Sequence, residues 1–210
     1  MLPISSKSNT VTPFIDTLFT ATSATCITGL VVYDTFVHWS IFGQLVILSL
    51  IQIGGLGFMT IATLISFLLR RRITLRERLL IVESLNQTDI QGVVLLAKRV
   101  LFATFTLEIL GAIVLSMRFV EQYGIAGGIY RGIFTSVSAF CNAGFDLLGD
   151  QGEFCSLTNH VGDYLVNIPI MFLIVTGGLG FYVWIDLYKA RRFRDFRLHT
   201  VLVLSITFIL

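Results

Sequence analysis

Two short runs hold the residue types best placed to handle an ion: Cys26-Ile27-Thr28-Gly29 and Cys141-Asn142-Ala143-Gly144. What they offer is backbone oxygen. A cation that leaves water must have its hydration shell replaced, and carbonyls do this when a short extended segment points them at an axis. Glycine supplies the freedom in φ that such a segment needs. Each run follows a short apolar stretch, 13–24 or 130–140. As a helix, either stretch would reach about 16–18 Å, too little to cross a hydrocarbon core of about 30 Å. A helix that ends at the turn aims its partially negative C-terminus at the ion. The carbonyls of Ile27, Thr28, Asn142 and Ala143 are therefore the candidate ligands. Enzymatic chemistry is disfavoured, because His38, His160 and His199 are scattered and no nucleophile–base arrangement forms.

The two runs belong to a repeat. Phe19-Thr-Ala-Thr-Ser-Ala-Thr-Cys-Ile-Thr-Gly-Leu30 aligns without gaps with Phe134-Thr-Ser-Val-Ser-Ala-Phe-Cys-Asn-Ala-Gly-Phe145, with six identities in twelve positions at an offset of 115. Ile51–Met59 aligns with Ile174–Tyr182 at an offset of 123, also with six identities, and both blocks contain Gly-Gly-Leu-Gly-Phe. The eight extra residues fall in the polar stretch 146–163. Matched blocks in the same order mark tandem units. Each unit reads as outer helix, re-entrant pore loop, inner helix. Residues 1–78 are a first repeat without its outer helix: pore helix 13–24, filter 26–29, inner helix 39–69. Residues 79–197 are a second repeat: outer helix 93–117, pore helix 130–140, filter 141–144, inner helix 164–188. Residues 198–210 begin a third. The expected fold class is an all-α membrane protein of incomplete tandem repeats.

Composition agrees. The chain is 55% hydrophobic and only 13% charged, with a mean hydropathy of +0.84, whereas soluble domains carry roughly 25% charged residues. Trp39–Leu69 is 31 residues without a charge and Tyr164–Ile185 is 22, where about 20 suffice to span. Residues 1–12 lack the basic start and apolar run of a secretory signal. Thr12 as N-cap, Pro13 at the first helical position and Asp16 in the first turn mark the start of the first pore helix. Arg70, Arg71, Arg72, Arg76 and Arg78 follow one span, and Lys189, Arg191, Arg192, Arg194 and Arg197 follow another. The positive-inside rule puts both clusters in the cytoplasm, so 130–145 must dip in and return. Setting topology is the favoured role of these clusters, with docking of a cytoplasmic partner as the competing one. A multi-pass protein of the cell membrane is expected, in contact with lipid and with no nucleic acid.

Other residues leave alternatives open. Gly54, Gly55, Gly57, Gly177, Gly178 and Gly180 sit inside apolar spans, where they permit close helix packing or local unwinding and do not form a nucleotide-binding loop. Glu108 inside a span is a functional candidate, although pairing with a neighbouring helix would equally explain it. Lys98 and Arg99 snorkel. Asp34, Asp146, Asp150 and Glu153 follow the turns and either concentrate cations or are ordinary loop charges. Cys26 and Cys141 each precede their glycine by three residues. Packing of small side chains behind the filter is favoured over a redox pair. Cys155 is uninformative.

On these residues the sequence resembles the Trk/Ktr/HKT superfamily of potassium transporters, and most closely the bacterial Ktr-type membrane subunit. The resemblance covers essentially the whole chain. It implies four helix–loop–helix units around one pore, with one filter glycine each. Gly29 and Gly144 match the first two, and K+ would be held at Ile27, Thr28, Asn142 and Ala143. It further implies a homodimer, a cytoplasmic nucleotide-binding regulatory subunit and no covalently bound cofactor. K+ is the implied cargo, with Na+ as an alternative: serine at the matching first-unit position accompanies Na+ transport in plant members. Cysteine at 26 and 141 departs from the more usual Thr or Asn, and two of the four units are absent, as in a fragment covering roughly the first half. The expected function is K+ transport across the membrane as part of an uptake system. The alternative is a non-conducting truncated remnant or assembly partner.

Overall fold

The computed structural model describes residues 2–57, 93–180, 183, 184, 186, 187 and 196–209. The Arg70–Arg78 cluster, the expected inner-helix stretch 58–69 and the basic residues 189–194 lie outside the described residues. The helices are α1 (Phe14–Cys26), α2 (Thr35–His38), α3 (Ile41–Leu56), α4 (Val93–Phe140), α5 (Tyr164–Gly178) and α6 (Leu198–Ile209). Among the described residues, the one extended pairing is an isolated bridge between Ser6 and Trp39. The protein is an all-α membrane protein, and α4 shows the polarity expected in lipid. Phe102, Ile109 and Met117 are 75%, 58% and 70% exposed, whereas Thr104 and Glu108 are only 2% and 4% exposed. A helix in water would bury the first set and expose the second. One described helix, Ala97–Phe140, is long and apolar enough to cross a membrane.

Several element boundaries differ from the sequence reading. The N-cap of α1 is Pro13, not Thr12. The Thr12 hydroxyl instead pairs with His38 Nε2 at 3.0 Å, so a tertiary partner outbids the cap. The outer helix expected over 93–117 does not end at 117 either. Both limbs of α4 stay helical up to Gly124, whose φ of 72° and ψ of 171° break the helix in a conformation open essentially to glycine alone.

The chain reverses at Gly124. A side chain at Gly128 would strike the backbone of Val120, one at Gly132 would strike Ser116, and Ser136 Oγ donates to the Glu108 carbonyl at 2.7 Å. The two limbs thus run back along each other, with 128 against 120, 132 against 116 and 136 against 108. Gly128, Gly132 and Ser136 recur every fourth residue, the small-residue spacing that lets helices in lipid approach closely.

The chain divides into two compact units, Met1–Gly55 with Leu107–Ile174 and Leu56–Thr106 with Val175–Leu210. The core of the first gathers Ile51, Leu115, Phe119, Phe134, Phe145, Leu147 and Leu173. In its interior Gln44 Nε2 donates to the Trp39 carbonyl at 2.9 Å, and Tyr130 donates to Gln44 Oε1 at 3.0 Å. These bonds spare both polar groups the cost of burial without a partner. In the second unit, the Asp186 carboxylate accepts from the Arg197 N–H at 2.9 Å at the start of α6. Trp184 Nε1 donates to the Thr176 carbonyl at 3.1 Å.

Candidate ion-binding site

Both turns are built by the same local device. Beyond α1, Ile27 is left-handed (φ 59°, ψ 41°) and Thr28 N–H donates back to the Ser23 carbonyl at 3.0 Å. Beyond α4, Asn142 is left-handed (φ 57°) and Ala143 N–H donates to the Ser138 carbonyl at 2.8 Å. This six-to-one bond around a left-handed residue is a Schellman cap. Asparagine accepts that conformation, but a β-branched isoleucine does so only at a cost of about 1–3 kcal/mol, held by its surroundings. Those surroundings are visible. Thr28 Oγ1 donates to Ser23 Oγ at 2.8 Å, and Ile27 packs against the core. In the second turn, Ser138 Oγ donates to the Phe145 carbonyl at 2.5 Å. The glycines that follow, Gly29 and Gly144, have φ of 73° and 75°.

The two turns touch. A β-carbon on Gly29 would lie 2.9 Å from the Ala143 oxygen, and one on Gly144 would lie 3.3 Å from the Gly29 α-carbon. Residues that match in a sequence repeat meet only when they lie near the axis relating their units. The structure thus brings Gly29, Ala143 and Gly144 together.

The inner-helix glycines divide between the two roles open to them. Gly54 and Gly55 serve close approach: a side chain at Gly54 would strike the Thr25 carbonyl, and one at Gly55 would lie 2.7 Å from Cys141 Cβ. Gly57 and Gly180 serve unwinding, with φ of 77° and 81° and nothing among the described residues within 4 Å of an added β-carbon. The α-helix expected over 39–69 therefore leaves α geometry at Gly57, and the one expected over 164–188 does so by Gly180. Gly177 and Gly178 close α5. Cys141 is buried, as packing behind the turn requires, but Cys26 is exposed, and both are free thiols.

Contacts beyond each turn tie the chain back to residues that precede it. Lys7 N–H donates to the His38 carbonyl at 3.0 Å, near the start of α1. Arg131 Nε donates to the Leu147 carbonyl at 3.1 Å, and Arg118 Nε lies 2.5 Å from Asp163 Oδ2. The Arg118 hydrogen bond holds the Asp163 carboxyl below its usual range. Burial, and then the Arg131 charge, push the Lys7 ammonium down.

Three of the four acidic residues beyond the turns, Asp34, Asp146 and Asp150, are engaged in structure. Asp150 pairs with Arg131 at 3.3 Å, and Asp146 accepts from Leu148 N–H at 3.0 Å. Asp34 accepts from Phe36 and Val37 N–H at 2.8 and 2.9 Å, capping α2, and from Phe154 N–H at 2.9 Å, 120 residues on. Asp34→Ala is expected to speed amide exchange at all three positions. Asp34→Asn, which keeps an oxygen for the cap, should free Phe154 alone. Loss of a cap costs about 0.5–2 kcal/mol. Unchanged protection at Phe154 in Asp34→Ala would show that the two loops are held together by other contacts.

Sequence reasoning passed over Gln52. Its Nε2 lies 3.0 and 3.2 Å from the two carboxyl oxygens of Glu108. The signal was an amide at 52 where the otherwise matched block has Val175.

The chain is 49% identical over its whole length to the Ktr system potassium uptake protein B of Bacillus subtilis, spanning 46% of that protein. It is 43% identical to the potassium/sodium uptake protein NtpJ of Enterococcus hirae over all of this chain and 45% of that one. The identity to the Ktr system potassium uptake protein B of Vibrio alginolyticus is 37%, over 91% of this chain and 42% of that one. The chain therefore spans about half the length of the curated relatives it matches. The model of the TrkH family, described as cation transport protein, matches residues 1–210, and the chain belongs to that family.

Proposed function

We propose that the chain contributes two adjacent filter segments to a potassium-selective pathway across the cell membrane. The observation that carries this reading is the contact between Gly29 and the Ala143–Gly144 turn. In this reading the carbonyls of Ile27, Thr28, Asn142 and Ala143 face a common ion, and the meeting of the two matched turns supports it. Such carbonyls substitute for water around a dehydrated cation. α1 and the second limb of α4 both end at the turns, so their negative helix ends favour a cation there. The names of the relatives supply the cargo, K+, with Na+ as the second ion by analogy with NtpJ.

In this reading the protein is multi-pass. Its basic clusters face the cytoplasm, the turns open outward, and the assembled form is a homodimer that engages a cytoplasmic nucleotide-binding regulatory subunit.

The test is uptake in cells that lack their own potassium transport, with the chain supplied together with the remaining half of the length its relatives have. Growth at low external K+ and saturable K+ uptake are expected. Correctly inserted protein that yields neither would refute the reading.

A further inference from the structure

We propose that Glu108, held in place by Gln52, supplies the negative counter-charge for the cation at the second turn, and so sets the affinity for the transported ion. This rests on the transport reading above.

Glu108 is 4% exposed in the first limb of α4. Among the described residues, its only side-chain partner is the neutral amide of Gln52, which reaches both carboxyl oxygens. A carboxylate buried at membrane depth is costly and is normally paired with a positive group. No positive side chain fills that role among the described residues.

The surroundings indicate where the missing cation would sit. Gln52 and Gly55 are three residues apart on α3, and so share a face. Gln52 meets Glu108, while Gly55 lies against Cys141, the first residue of the second turn. On α4, Gly111 shares the face of Glu108, and a side chain there would press on Ser136 Oγ and Leu173. Ser136 in turn binds the Glu108 carbonyl. The carboxyl is thus held by the same face of α3 that lies against the first residue of the second turn. A charge in such a low-dielectric setting acts over more than one layer of side chains. The ion in the turn is the opposite charge available to it.

The experiment measures K+ uptake kinetics of the completed protein in the same deficient cells, with insertion checked for each variant. Glu108→Gln keeps the size and a hydrogen bond to Gln52 but removes the charge. It is expected to raise KM for K+ about tenfold, equivalent to about 1.4 kcal/mol, with Vmax changed far less. The double variant Gln52→Glu/Glu108→Gln returns a carboxylate to the same site from the other helix and is expected to bring KM back to within about threefold of the original. A role in packing alone would lower Vmax or insertion and would not be rescued by the exchange. Unaltered KM in a well-inserted Glu108→Gln, or no recovery in the exchanged pair, overturns this inference alone. Absence of K+ uptake by the unaltered protein overturns the transport reading and this one with it.

Discussion

Gly29→Ser is expected to lower the preference for K+ over Na+ by tenfold or more while membrane insertion stays near normal. Two effects act together. Gly29 sits at φ 73°, where an L-residue pays roughly 1–2 kcal/mol. Relaxing that strain re-aims the carbonyls of Ile27 and Thr28. The new β-carbon would also come within 2.9 Å of the Ala143 oxygen and 3.4 Å of the Gly144 α-carbon. These are backbone atoms that cannot rotate away, so the second turn must shift as well. One substitution therefore disturbs both turns, and a site built on carbonyl placement loses discrimination before it loses stability. Reversal potentials in mixed K+ and Na+ solutions measure the effect. An unchanged permeability ratio in Gly29→Ser would show that the ion does not pass this turn.

Gly54→Ala should be the most damaging single change in α3. An added methyl group meets the main chain at the end of α1: the Thr25 carbonyl, and the Thr25 α-carbon at 3.2 Å. Neither wall is a flexible side chain. Overpacking of this kind costs about 1–3 kcal/mol, and here the strain is delivered to the helix end that carries Ile27. A lowered midpoint of thermal unfolding in detergent is expected, together with a loss of K+ uptake of about tenfold. Gly57→Ala makes the contrast. Among the described residues it meets nothing within 4 Å, but it sits at φ 77°, so its cost is that of the left-handed backbone and its effect on unfolding should be smaller. A normal unfolding midpoint and normal uptake in Gly54→Ala would mean that α3 does not press on the end of α1.

Gly55 shows where sequence reading reached its limit. Its place in an apolar run distinguishes it from a phosphate loop, and close packing was a fair expectation. That its neighbour is Cys141, from the other repeat, follows only from how the helices are laid together. Asp34 is similar. An acid beyond a cation turn reads equally well as an attractor or as loop charge. The fold instead makes it a cap for α2 and a tie to Phe154, because the two outer loops come to rest side by side.

What the sequence determined by itself is what short-range chemistry controls. Helices too short to cross, the glycines that end them, the long uncharged runs and the repeat at offset 115 depend on neighbouring residues, and they could be read there. Tertiary structure decided three things. It set the reversal at Gly124 with almost no loop, since residues 118–123 remain helical when Gly128, Gly132 and Ser136 let the two limbs close. It joined Glu108 to an amide 56 residues away, because a group buried among apolar helices takes whatever polar partner the packing brings. It also placed Gly29 against Gly144, since each turn is made locally but only the docking of α1 against the second limb of α4 sets the distance between them.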